Sequence, residues 1–130
     1  VLNAFKPEFA NGSLMDIGIY CIYPMVVLFG RPKSLKANGL LLDSGVDGQG
    51  SIVFEFGDKE AVAMYSKIAD SSLPSEIQGE NGSIIIDNIN TPKNVKIIFR
   101  DGTIEDITKE QKEEIKTLKG FLYLHVVQKI

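Results

Sequence analysis

One cysteine and one histidine stand among the 130 residues, and both scarcities narrow the chemistry open to the chain. A lone Cys21 excludes an internal disulfide framework and fits a reducing compartment, hence a cytoplasmic setting. Inside an apolar stretch it reads as a small buried hydrophobe rather than a nucleophile. One cysteine with His125 falls short of a zinc site of the usual ligand set, so no metal-ligating residue is assigned. Basic surplus is also missing: the net charge is -3 and the pI about 5.1, which gives no footing for nucleic acid or an anionic membrane surface. No apolar run reaches the ~20 residues that a membrane helix needs, because charge, glycine and proline interrupt each candidate. The opening "VLNAFKPEFANG" has no continuous apolar segment and no cleavage pattern of a signal peptide. Nor is there any Gly-x-Gly-x-x-Gly. "DGQGS" (47–51) leads into a strand rather than a helix, so it is rejected as a nucleotide loop and no cofactor-binding residue is assigned.

What remains is an ordinary globular balance, 44% hydrophobic and 24% charged, in a length that suits one domain over residues 1–130. The chain starts in mid-phrase and finishes on "GFLYLHVVQKI", and it reads as a fragment of a larger protein. Ser13 to about Phe29 reads as a helix: Ser13 as N-cap with Asp16 as its capping-box partner, Gly30 and Pro32 at the far end. Then the period changes to that of strands. Segments 34–45, 48–57 and 60–70 are expected as consecutive strands, the last two a hairpin turned at Gly57-Asp58-Lys59. Two short strands are expected in 75–88 and a hairpin about Asp101-Gly102 in 94–107, with a polar helix over Thr108 to Lys119. One helix, six or seven hairpin-linked strands and a terminal helix spell α+β: an open, mostly antiparallel β-sheet with a helix packed on one face. "SIVFEFG" and "NGSIIIDN" are apolar on both sides, so the other face of the sheet is expected to meet either another protein surface or a further covering helix.

The first helix poses a question. Asp16, Tyr20 and Pro24 recur every fourth residue and so share one stripe, while Leu14, Ile17, Cys21, Met25 and Leu28 can point into the sheet. Pro24 has no N–H to give the Tyr20 carbonyl, and Gly18 lets another surface come close. Two readings fit. Asp16 can complement the positive end of the helix while Tyr20 is a half-buried aromatic with its hydroxyl in water. Or the two form an acid–base pair beside a substrate hydroxyl, in which case the phenol needs a cation close by, and no residue identifies itself as that cation.

"NGSLMDIGIYCIYPMVVLFGRP" resembles the Gly-Gly-x-Leu-x-Asp-x-Gly-x-His/Tyr segment of the glucose–fructose oxidoreductase, inositol dehydrogenase and MocA (Gfo/Idh/MocA) family. "SEIQGENGSIIIDN" resembles that family's Ile-x-Gly-x-x-Gly hairpin, and "GSIVFEFGDKEAVAMYSKIAD" its central strand pair. The likeness covers about residues 11 to 107 in the right order, looks closest to the dihydrodiol dehydrogenase-like branch, and fades past residue 109. It implies the C-terminal domain of an NAD(P)-dependent oxidoreductase, missing the N-terminal Rossmann domain that binds most of the cofactor, with NADP slightly favoured. Hydride would pass between nicotinamide and a secondary alcohol or carbonyl of a sugar, polyol or dihydrodiol. By motif position the resemblance makes Tyr20 the residue that exchanges the hydroxyl proton, and Asp16 the one that orients the substrate or the acid–base group. The cation would be a lysine of the absent domain; "FKPE" (5–8) lies in the wrong domain for that role. It also implies a homodimer through the open sheet face, and a fragment inactive by itself. The alternative left open is a non-catalytic binding or oligomerisation module with the same fold.

Overall fold

The computed structural model describes residues 7–9, 11–108 and 121–128. Within them one eight-stranded sheet runs in the order β1-β2-β3-β8-β4-β5-β6-β7. Its strands are β1 Ser34–Leu41, β2 Asp47–Glu55, β3 Lys59–Ser66, β4 Ser75–Gly79, β5 Gly82–Ile86, β6 Val95–Phe99, β7 Ile104–Asp106 and β8 Phe121–Gln128. Every pairing is antiparallel except β4 with β8. The α+β class, the open sheet and the single packed helix are as the sequence implies.

The hairpins form where the turn residues stand. Gly57 and Gly102 take positive φ, 98° and 87°, a conformation that costs glycine nothing. The β2–β3 turn is closed by the Phe56 N–H on the Lys59 carbonyl at 3.0 Å. The β6–β7 turn is closed by the Phe99 N–H on the Thr103 carbonyl at 2.9 Å. An eighth strand goes beyond the six or seven expected: the run from Phe121, read only as an apolar ending, inserts between β3 and β4. The helix expected over Thr108 to Lys119 falls on residues 109–120, outside the described residues.

The first helix has two parts. A π-helical turn, Leu14–Gly18, runs into α1, Ile19–Phe29, which continues through Pro24. Gly30, at φ 77°, ends it with its N–H on the Val26 carbonyl at 2.8 Å. The helix lies across the β2–β3 face. Ile17, Cys21 and Met25 are fully buried against Ile52, Phe54, Phe56, Ala61, Ala63 and Tyr65. Burying a side chain the size of Met25 contributes about 2 kcal/mol. Leu28, expected to point into the sheet, is 58% exposed instead. Phe29 takes that place, its ring edge-on to Phe56 with centroids 5.9 Å apart. Phe29 continues the four-residue spacing of Ile17, Cys21 and Met25.

The opposite face follows from the registers. Val53, Met64 and Ile98, exposed at 37%, 40% and 40%, stand on it among polar neighbours. A hollow of about 580 Å³ opens there, lined among others by Asn38, Gln49, Ser51, Met64, Asp70 and Leu73.

Candidate functional site

The start of the helix is clamped to the ends of β2 and β3. The expected capping box does not form: Ser13 already has helical backbone angles, φ -60° and ψ -38°, and its hydroxyl makes no cap. That hydroxyl instead donates to the Gly48 carbonyl at 2.5 Å and accepts the Lys67 N–H at 3.2 Å, so it bridges two strand ends. The cap comes from a distant residue, Asp47, whose carboxylate accepts the Leu14 N–H at 2.7 Å. A carboxylate there also faces the positive end of the helix. Gly12 makes the approach possible, since a β-carbon on it would overlap the Asp47 carboxylate and lie 3.0 Å from Cγ.

Relieved of capping, Asp16 forms an ion pair with Lys67 through Oδ2. The lysine Nζ also donates to the Asn11 carbonyl at 3.0 Å. The Lys67 side chain is 6% exposed and that of Asp16 40%, so the cation is buried and the anion reachable. Tyr20 is 39% exposed, on the side of the helix turned away from the sheet. Asp16 and Tyr20 thus both stand clear of the core, but they do not hydrogen-bond to each other. Around them the outward side is apolar, with Met15, Ile19, Tyr23 and Val27 all exposed. Gly18 does let another surface come close, and that surface is the sheet. It faces inward, where a β-carbon would lie 3.1 Å from the Tyr65 ring, so its bareness serves helix-to-sheet packing.

Lys67 and Asp47 are the site residues that sequence reasoning missed. Lys67 follows an alternating strand with no motif around it, and Asp47 opens β2 just after a glycine-bearing turn, where nothing local points to the distant helix. The hollow on the opposite face includes neither Asp16 nor Tyr20 in its walls. Among the described residues no helix is long and apolar enough to cross a membrane.

A dinucleotide needs backbone N–H groups converging on its phosphates, usually at a helix N-terminus after a glycine-rich turn. Asp47–Glu55 is a strand, and the one long helix has its leading N–H taken by the Asp47 carboxylate. The phosphates of NAD(P) therefore do not fit the described residues. What this chain offers is a carboxylate and a phenol on an outward apolar ridge.

A model of the GFO/IDH/MocA C-terminal domain matches residues 3–85. The chain belongs to this oxidoreductase family, as its C-terminal domain. It is 61% identical over 107 residues to scyllo-inositol 2-dehydrogenase (NADP(+)) IolU of Bacillus subtilis (strain 168), covering 82% of this chain and 33% of that protein. To the uncharacterized oxidoreductase YgjR of Escherichia coli (strain K12) it is 47% identical over 109 residues, 84% of this chain and 33% of that one. To trans-1,2-dihydrobenzene-1,2-diol dehydrogenase of Xenopus tropicalis it is 34% identical over 90 residues, 66% and 27% of the two chains. The chain thus spans a third or less of the length of these relatives.

Proposed function

We propose that this chain is the substrate-binding and dimerisation domain of an NAD(P)-dependent oxidoreductase acting on a secondary alcohol or carbonyl of a polyol, sugar or dihydrodiol. The observation that carries the reading is the buried Lys67 cation holding a reachable Asp16 carboxylate on the same outward side of the helix as Tyr20. The names of the relatives support the substrate class and the lean to NADP. In this reading a Rossmann domain outside these residues binds the cofactor, whose nicotinamide exchanges hydride with the substrate carbon. Tyr20 gives or takes the proton of the reacting hydroxyl. Asp16 orients that hydroxyl or the phenol. The apolar ridge of Met15, Ile19 and Tyr23 excludes water from the closed site.

The second face of the sheet, with Val53, Met64 and Ile98 exposed on it, is the surface we assign to a homodimer. The setting we assign is the cytoplasm, because a single cysteine, Cys21, leaves no partner for an internal disulfide. The experiment is Tyr20→Phe in the full-length protein, assayed with NADP⁺ against scyllo-inositol and a panel of polyols, sugars and dihydrodiols. Turnover should vanish while NADP⁺ affinity is kept. Unchanged turnover would remove Tyr20 from the mechanism and favour a non-catalytic role for the domain.

A further inference from the structure

We propose that Lys67 is the positioning residue for Asp16, holding its carboxylate from behind so that the free side faces the reacting hydroxyl. The inference rests on the reading of Asp16 and Tyr20 above and adds a member to that site. Lysine is almost never buried unless paired, and desolvating an ammonium costs several kcal/mol by order of magnitude. Here the Lys67 side chain is 6% exposed, and its Nζ is shared between the Asp16 carboxylate and the Asn11 carbonyl. Its main chain is fixed as well, with the N–H on the Gly48 carbonyl at 2.9 Å and on the Ser13 hydroxyl at 3.2 Å. An exposed Lys–Asp pair must immobilise two flexible chains for the sake of one contact, and gains little. In this pair the lysine is already immobile, so the carboxylate inherits its position from the sheet.

The asymmetry is what argues for function. A bridge serving stability alone is neutral or worse against apolar packing. This one leaves its anion 40% exposed, in the middle of the π-helical turn Leu14–Gly18. π-helical turns inserted in α-helices occur frequently at functional sites. Oδ2 meets Lys67, while 40% of the Asp16 side chain stays exposed. Held in this way, a carboxylate can orient a hydroxyl without reorganising during the reaction.

The test uses the full-length protein with NADP⁺ and the same substrate panel. Lys67→Met should lower kcat about tenfold or more, with KM and the NADP⁺ Kd nearly unchanged. Lys67→Arg, which keeps the charge and the donors, should recover most of the rate. In an Asp16→Asn background Lys67→Met should cost nothing further, because a residue acting through another is non-additive with it. Should Lys67→Met fail to fold, Lys67→Gln keeps a donor for the Asn11 carbonyl and takes its place. Wild-type kcat in the folded Lys67 variant, or losses that multiply with Asp16→Asn, would overturn the assignment while an inactive Tyr20→Phe left the wider reading standing. Full activity in Tyr20→Phe, or a wild-type protein inert towards the whole panel, would overturn both together.

Discussion

Tyr65 packs its hydroxyl end against Gly50, its cross-strand partner: a β-carbon on that glycine would stand 2.7 Å from the phenol Cζ, with the hydroxyl oxygen nearer still. The near end of the same ring meets Gly18 of the helix, its Cδ1 3.1 Å from a β-carbon placed there. Two bare positions, one on β2 and one on the helix, thus bracket an aromatic ring that is 4% exposed. This is how the π-helical turn bearing Asp16 comes to rest on the sheet.

Gly50→Ala should therefore cost more than Gly18→Ala. At Gly50 the added methyl collides with a ring that the core holds rigid, an overpacking cost of about 1–3 kcal/mol. At Gly18 the contact is tighter than usual but not prohibitive, and alanine also gains helix propensity of about 1 kcal/mol. Thermal denaturation of the two variants checks the order. A Gly18→Ala protein less stable than Gly50→Ala would contradict the packing described.

Gly12→Ala should loosen the helix start by displacing the Asp47 carboxylate from the Leu14 N–H. The loss should approach that of Asp47→Ala, about 1 kcal/mol as for other lost caps. Because both changes remove one bond, the double variant should lose little beyond either single one. Melting temperatures of the three proteins decide it.

Alkaline pH should act through Tyr65. Burial raises its hydroxyl above the ordinary value of 10.0, and the Asp47 carboxylate raises it further. A raised folded-state value means that the contribution to stability is complete below about pH 10 and is lost as pH climbs towards the folded value, since the unfolded phenol ionises first. Tyr65→Phe keeps the ring over Gly50 and removes this term. Urea denaturation between pH 9 and 11, a window set about the ordinary phenol value, should show a shallower decline for the variant. Parallel declines would show that Tyr65 titrates as it does in the unfolded chain.

Residues 1–130 alone should turn over none of the panel with NADP⁺, because the described residues carry no cradle for its phosphates. Isothermal titration with NADP⁺ should likewise register no saturable binding. Turnover by the isolated chain would contradict the division of labour proposed here.

What could be read from the sequence was local. Gly57, Gly102 and Gly30 announce the turns and the helix end because each needs only its own backbone freedom. Ile52, Phe54 and Phe56 announce their buried face by alternation. The cap on Leu14 could not be read, since it comes from a residue 33 positions away, and Ser13 offered a plausible local substitute that the fold uses otherwise. Lys67 was hidden for the same reason: it meets Ser13 across 54 positions, and only the packing of the helix start on the ends of β2 and β3 brings them together. Leu28 was expected inward and stands exposed, while Phe29, four residues on from Met25, packs on the core; both positions close the helix, and their spacing alone did not decide between them.

The strand latest in sequence sits in the middle of the sheet. A nascent chain released as far as β7 would therefore hold two separate ribbons, β1–β3 and β4–β7, each with a raw edge where β8 belongs. Closing them means bringing residues 121–128 back between strands made much earlier, a non-local step that sets a slow pace. During synthesis those two edges are the places where a wrong strand, or a neighbouring molecule, could zip in first.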